Sequence, residues 1–433
     1  MKYLKYTIFM ALAAALVFSL SCRPKGAEFR GMKVRYMECC GEAGADSPVN
    51  SAILRAKKDI KIIIDRENSP AFTTYFDDIM AQKEALEPVD VIKITTENFA
   101  DFYEAGLLED LSPYINEDDS FKLNKFHEGT IDYFTREEKL FVIPRDISPM
   151  CAVYYNKQIF DEAGAAYPPD EWTIKEFIET AGKLVKMDSM GRVIQFGFVD
   201  KKNYWKPWVY AYDGRLVNDI KNPTSCFLYT TEVINGVKTR ADLMHEYSIM
   251  PDFPRMTAGG GGREERIKMF TEGKAAMLFA PLTDAPGLRK TADFDWDITV
   301  FPSATGTAKA YSASATGFAI FKNSKNKELA WEFLKYLVDE ESQEKAAKKC
   351  MVPARLDTAA SAVFLGNNKP KNKTIVLKAL PRIIYPPSHI HWDDAVIEEI
   401  TPALESVWKG TESASNALGR IVWSINKYYL KEK

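Results

Sequence analysis

Past residue 20 the chain has no apolar run long enough to span a bilayer, which excludes a membrane-spanning body. It has no excess of basic charge: 57 Lys and Arg against 60 Asp and Glu give a formal net charge of −3, which argues against a nucleic-acid partner. No G-x-S-x-G elbow, H-E-x-x-H pair or Walker phosphate loop occurs, so the chemistries built on them have no anchor. Gly259 to Gly262 lacks a following Lys-Ser/Thr and reads as a loop. Histidine is scarce: of His127, His245, His389 and His391, only the last two have chelating spacing, after Pro386-Pro387 and with no carboxylate cluster before Asp393-Asp394. No metal and no cofactor are expected, and the reading is not an enzyme, with an exported glycosidase carboxylate pair as the remaining catalytic alternative.

Cysteine is also sparse. Cys39, Cys40, Cys151, Cys226 and Cys350 are an odd set with no C-x-x-C spacing, and are expected as free or partly buried thiols. There is no internal repeat. What the chain does have is 46% apolar and 12% aromatic residues, enough for a packed core in a body of two lobes.

The first residues form an export signal. Lys2 and Lys5 precede an almost unbroken apolar run from Ile8 to Leu20, and Ser19-Leu20-Ser21-Cys22 ends it. A cysteine at the cleavage point implies lipidation at Cys22, although Leu20 stands two residues before it rather than three, and Ser19 and Ser21 also fit ordinary small-x-small cleavage. Residues 1–21 are therefore expected to be removed, and 22–30 to form a tether. The protein is then exported and held at a membrane surface by its N-terminal lipid, in the periplasm or on the cell surface.

Downstream, strands and helices alternate. Strands are expected at Lys33 to Met37, Ile60 to Ile64, Val89 to Ile92, Leu140 to Ile143 and Ala152 to Tyr155, with helices at Ser51 to Lys58 and Tyr75 to Ala85. That order implies α/β architecture with parallel pairing. Thr173 and Glu176 have capping-box spacing, and Trp172 and Phe177 that of a hydrophobic staple, so Trp172 reads as structural. Wide apolar stripes mark a helix after Asn326 and another region from Ile397 to Leu430.

Several segments occur in an order that carries a resemblance. Leu140 to Pro144, Val153-Tyr154-Tyr155-Asn156-Lys157 and Phe160-x-x-Ala163-Gly164 lead into the Pro168 to Phe177 run. Phe102-x-x-Ala105-Gly106-Leu107-Leu108 precedes them, and Phe270-x-x-Gly273-Lys274-Ala275-Ala276-Met277, Asn323 to Leu334 and Pro353-Ala354-Arg355 follow. Together these resemble the extracellular solute-binding proteins of family 1, the sugar- and maltose-binding receptors of ABC importers. The resemblance implies a two-lobed periplasmic binding protein-like fold (class II type), each lobe a mostly parallel sheet flanked by helices, with the ligand in the cleft between. It divides the chain into 31–145 plus 303–339 for one lobe and 146–302 plus 340–433 for the other, with crossovers near Pro144 to Ser148, Val300 to Ser303 and Asp339 to Ser342. It also implies hinge closure on a small polar solute, a monomer, and ABC permease transmembrane subunits as partners.

Sugars require flat apolar rings and planar hydrogen-bonding groups. The densest aromatic stretch, Asn203 to Gly214, offers Tyr204, Trp205, Trp208 and Asp213. Loops after strands add Glu38, Asp46, Phe72, Tyr75 and Asp146, and the family's P-x-R adds Arg355. The family often has G-x-W after Ala276-Met277; here Leu278 to Asp284 has no Trp, leaving Phe279 or Trp392 as the replacement platform. The solute is expected to be a sugar or oligosaccharide, with a polyamine, glycerophosphodiester, peptide or metal as alternatives.

Overall fold

The computed structural model describes residues 27–39, 44, 46–252 and 262–431; the expected export signal, Cys22, Cys40 and Gly259 to Gly261 of the expected glycine loop lie outside them. The chain first lays down β1 (Lys33–Cys39), β2 (Ile63–Ser69) and β3 (Val91–Thr95) with helices between. A small hairpin, β4 (Thr135–Arg136) and β5 (Lys139–Leu140), precedes β6 (Ile143–Pro149). The second lobe holds β7 (Ala152–Asn156), β8 (Lys186–Met187), β9 (Val193–Val199), β10 (Ala275–Phe279) and β11 (Trp296–Val300). The long β12 (Tyr311–Ile320) returns to the first lobe, followed by β13 (Val352–Pro353) and β14 (Ile383–Ile384).

One sheet runs β13-β6-β12-β3-β1-β2, with β14 on β12, and the other β11-β7-β10-β9-β8. Two lobes are therefore present, but both sheets are mixed rather than mostly parallel. β1 is parallel to β2 and β3, where helices connect successive strands. β12 runs antiparallel to β3 and β6, because it re-enters from the other lobe. Gly317 sits at the β12 bulge, where an added Cβ would lie 2.5 Å from the Ile143 carbonyl oxygen; the absence of a side chain lets the strands close.

Local signals place the elements. Ser47 caps the Pro48–Asp59 helix, with proline in its first turn. Thr173 and Glu176 form the capping box, and Trp172 packs edge-on against Phe177 at 5.4 Å while its indole donates to the Val300 carbonyl at 2.8 Å. β2 begins later than the apolar pattern indicates. Ile60 ends the preceding helix, Lys61 turns the chain at φ +60°, and the edge strand carries charged Asp65, Arg66 and Glu67.

Two lobe boundaries move. Residues 146–149 belong to the first sheet, and the first crossover is at Met150 and Cys151. The Glu340–Lys348 helix and β13 also remain with the first lobe: Arg55 of the Pro48–Asp59 helix donates to Asp339 and Ser342, and β13 pairs with β6. The chain reaches the second lobe only beyond Gly366, where the amides of Lys371 and Asn372 donate to Asp297 of β11. Cys151, Cys226 and Cys350 are buried free thiols, whereas Cys39 departs from expectation and is disulfide-bonded.

Candidate functional site

The cleft is framed by the end of β3 from one lobe, the Lys206–Ala211 helix from the other, the start of β12 and the segment from Ile384 to Asp393. Pro207 stands in the first turn of the Lys206–Ala211 helix, which its fixed φ favours. Its other face meets the Thr231–His245 helix at Gly236, where a Cβ would lie 2.4 Å from the Trp208 carbonyl oxygen.

Three charged side chains line the cavity without pairing: Glu97, just past β3, Lys206, and Asp393. Among the described residues the Lys206 ammonium has no hydrogen-bond or ion-pair partner, while Asp393 and Glu97 act on it from beyond contact distance. Burial lowers the Lys206 pKa, opposed by those two carboxylates. Burial raises Asp393, with Lys206 opposing and Asp394 adding to the rise. Glu97 is open to solvent, yet the protein around it raises its pKa against hydrogen bonds that include one from the Thr96 hydroxyl at 3.2 Å.

Tyr204 supplies the aromatic wall. Its ring lies edge-on to Phe279 at 5.6 Å and 5.1 Å from the Arg266 guanidinium, which Asp284 holds at 3.0 Å. Tyr210, Tyr385 and Pro386 add apolar surface. Further out, Asp101 of the Phe99–Glu104 helix is pushed up to about 6 by burial and by Asp393 and Asp394.

Of the expected binding residues, Tyr204 alone is among the described residues that line this cavity. Trp205 and Trp208 are both buried, and the Trp208 indole donates to Asp200 at 3.1 Å. Tyr204 reaches the cleft from the turn before the helix; on the helix Lys206, Pro207 and Tyr210 line the cavity while Trp208 and Val209 enter the lobe. Phe279 is fully buried behind Tyr204. Trp392 is buried too, and among the described residues its indole nitrogen has no hydrogen-bond partner; its neighbour Asp393 faces the cavity instead.

In the first lobe, Glu38 is a core group that accepts from Arg66 and from the Tyr36 hydroxyl at 2.9 Å. Tyr75 is a packing residue whose hydroxyl donates to the Met37 and Lys93 carbonyls. Asp146 is buried against the Arg145 guanidinium at 2.7 Å. Arg355 is spent on Asp357 at 2.8 Å, and Asp213 pairs with Lys309 at 2.6 Å. Asp46 and Phe72 are exposed but are not among the cavity's lining residues. Glu97, Lys206 and Asp393 escaped the sequence reading, although the rule applied after β1 and β2 would have found Glu97 had it been applied after β3.

The chain resembles known proteins along most of its length. The family model for bacterial extracellular solute-binding proteins matches residues 52–374. A binding protein of Brucella abortus is 24% identical over 365 residues, 82% of this chain and 84% of its own. Among solved structures, an ABC substrate-binding protein of Listeria monocytogenes in complex with cycloalternan superposes with a TM-score of 0.77 at 22% identity, over 92% of this chain and 98% of that one. The GacH receptor of Streptomyces glaucescens, solved unliganded and with acarbose, gives 0.74 at 19%, over 93% and 100%. These structures share the two-lobed fold.

Proposed function

The chain belongs to the bacterial extracellular solute-binding proteins, and from that premise we propose that it captures a saccharide between its lobes and delivers it to the membrane subunits of an ABC importer. The observation that carries this reading is the unpaired Lys206 ammonium between Glu97 and Asp393. A sugar hydroxyl accepts and donates at once, so vicinal hydroxyls can take hydrogen bonds from the lysine and give them to both carboxylates. Tyr204 and its neighbouring rings offer faces for the sugar's C–H surface. The resemblance to receptors solved with cycloalternan and acarbose agrees with that chemistry.

Binding of this kind needs no bond-making step, so labelled oligosaccharide should be captured stoichiometrically and recovered unchanged. Export with acylation at Cys22 completes the proposal; labelled palmitate should enter the wild-type protein and not the Cys22→Ser variant. Among the described residues no helix is long and apolar enough to cross a membrane. The excess of carboxylates around one lysine also favours a second reading, a polyamine. A thermal-shift panel separates the two, since stabilisation grows as RT ln(1 + [L]/Kd). A response to saccharides supports the first reading, and a response to spermidine alone overturns it.

A further inference from the structure

We propose that the cleft carries a second, outer saccharide subsite, lined by Glu104, Asn222, His389 and Lys431, and that the solute is therefore an oligosaccharide rather than a single sugar. This rests on the saccharide reading above and assigns the length of the solute.

Size is the first argument. The inner cavity at Lys206 measures about 270 Å³, below the roughly 300–1,000 Å³ usual for small-molecule sites. The outer one adds a cavity of about 440 Å³. One segment lines both cavities, and a first-lobe helix reaches from beside one to the other. The segment from Pro386 to Asp393 contributes its ends to the inner cavity and Ser388 to His391 to the outer. On the first lobe, the Phe99–Glu104 helix carries Asp101, which feels Asp393 and Asp394, and one turn later Glu104, which lines the outer cavity.

The wall is fixed in place. The Tyr133 hydroxyl donates to the Pro386 carbonyl at 3.1 Å, Arg136 donates to the Ser388 hydroxyl at 2.7 Å, and the Ser388 amide donates to the Ile220 carbonyl at 2.7 Å. These bonds tie the segment to both lobes and leave specific donors unused. His389 Nδ1 accepts the His391 amide at 3.2 Å, so in the neutral ring Nε2 must carry the proton and can donate. Burial and the neighbouring His391 favour that neutral form. Among the described residues no ion pair engages Lys431, and no hydrogen bond engages the Asn222 side-chain amide, whereas Lys221 beside them is taken by Asp132 at 2.9 Å. These donors stand around the cavity with the Glu104 carboxylate and the Thr224 and Ser388 hydroxyls, a mixture that suits the hydroxyl and ring oxygens of a second sugar unit.

The test is calorimetric titration of the full mature chain with the mono-, di- and trisaccharides of glucose, galactose, mannose and xylose. For the sugar that binds, the di- or trisaccharide should bind at least about tenfold more tightly than the monosaccharide. Lys431→Ala and His389→Ala should each remove most of that gain and leave monosaccharide affinity within about twofold. Lys431 is exposed, so its variant keeps the test open if the histidine variant misfolds. Equal affinity for mono- and oligosaccharide, or variants that weaken both alike, would overturn the outer subsite while leaving saccharide capture standing. A folded wild-type protein that takes no member of the panel would overturn the parent reading instead.

Discussion

Charges in the second lobe and charges in the cleft follow opposite rules. Arg240 and Asp200 are both wholly buried and joined by two hydrogen bonds, at 2.7 and 3.0 Å, while Asp200 also accepts from Trp208. Glu97, Lys206 and Asp393 are held close enough to feel one another but not to touch. The first arrangement repays desolvation with contact and fixes the fold. The second leaves that desolvation unrepaid, as a site must if a ligand is to complete it.

Breaking the satisfied pair should have the largest effect. Arg240→Ala strands a buried carboxylate and should cost about 3–5 kcal/mol of stability by denaturant unfolding, without altering which solute the folded fraction binds. Trp208→Ala should follow at about 3–5 kcal/mol, since it empties a fully buried site. Lys206→Met should do the reverse. It removes a desolvated ammonium, so stability should change by no more than about 1 kcal/mol, while solute affinity falls about a hundredfold or more, measured by titration. A Lys206 variant that loses stability but keeps affinity would erase the distinction.

The contrast also marks what the sequence could convey. The capping box at Thr173 and Glu176, the structural role of Trp172 and the ordered motifs were legible because each depends on local spacing. The cleft was not, because Glu97, Lys206 and Asp393 come from three distant segments and meet only through the fold. For the aromatic run from Tyr204 to Tyr212, composition names a stretch, and only the local backbone decides which rings turn inward. The later lobe boundary was hidden because the Glu340–Lys348 helix joins the first lobe through Arg55, far away in the chain.

A smaller effect concerns pH. Asp101 is raised to about 6, so its ionised form weakens the fold, fully above about pH 6 and progressively less as pH falls toward 4. Asp101 therefore adds a rise in unfolding temperature on acidification from about pH 7 to 5, read as the difference between the wild type and an Asp101→Asn variant. Asp101→Asn should raise stability near neutral pH by about 1 kcal/mol and reduce that slope. Glu97 and Asp393, also raised, act in the same direction, whereas His127 and His389, whose pKa values burial lowers, act in the opposite one.

The most direct measurement is a crystal structure of the protein with the tightest-binding saccharide from the panel. The account predicts sugar hydroxyls bridging Lys206 to Glu97 and Asp393, with a ring face against Tyr204. A saccharide bound elsewhere, with Lys206 paired directly to either carboxylate, would contradict it.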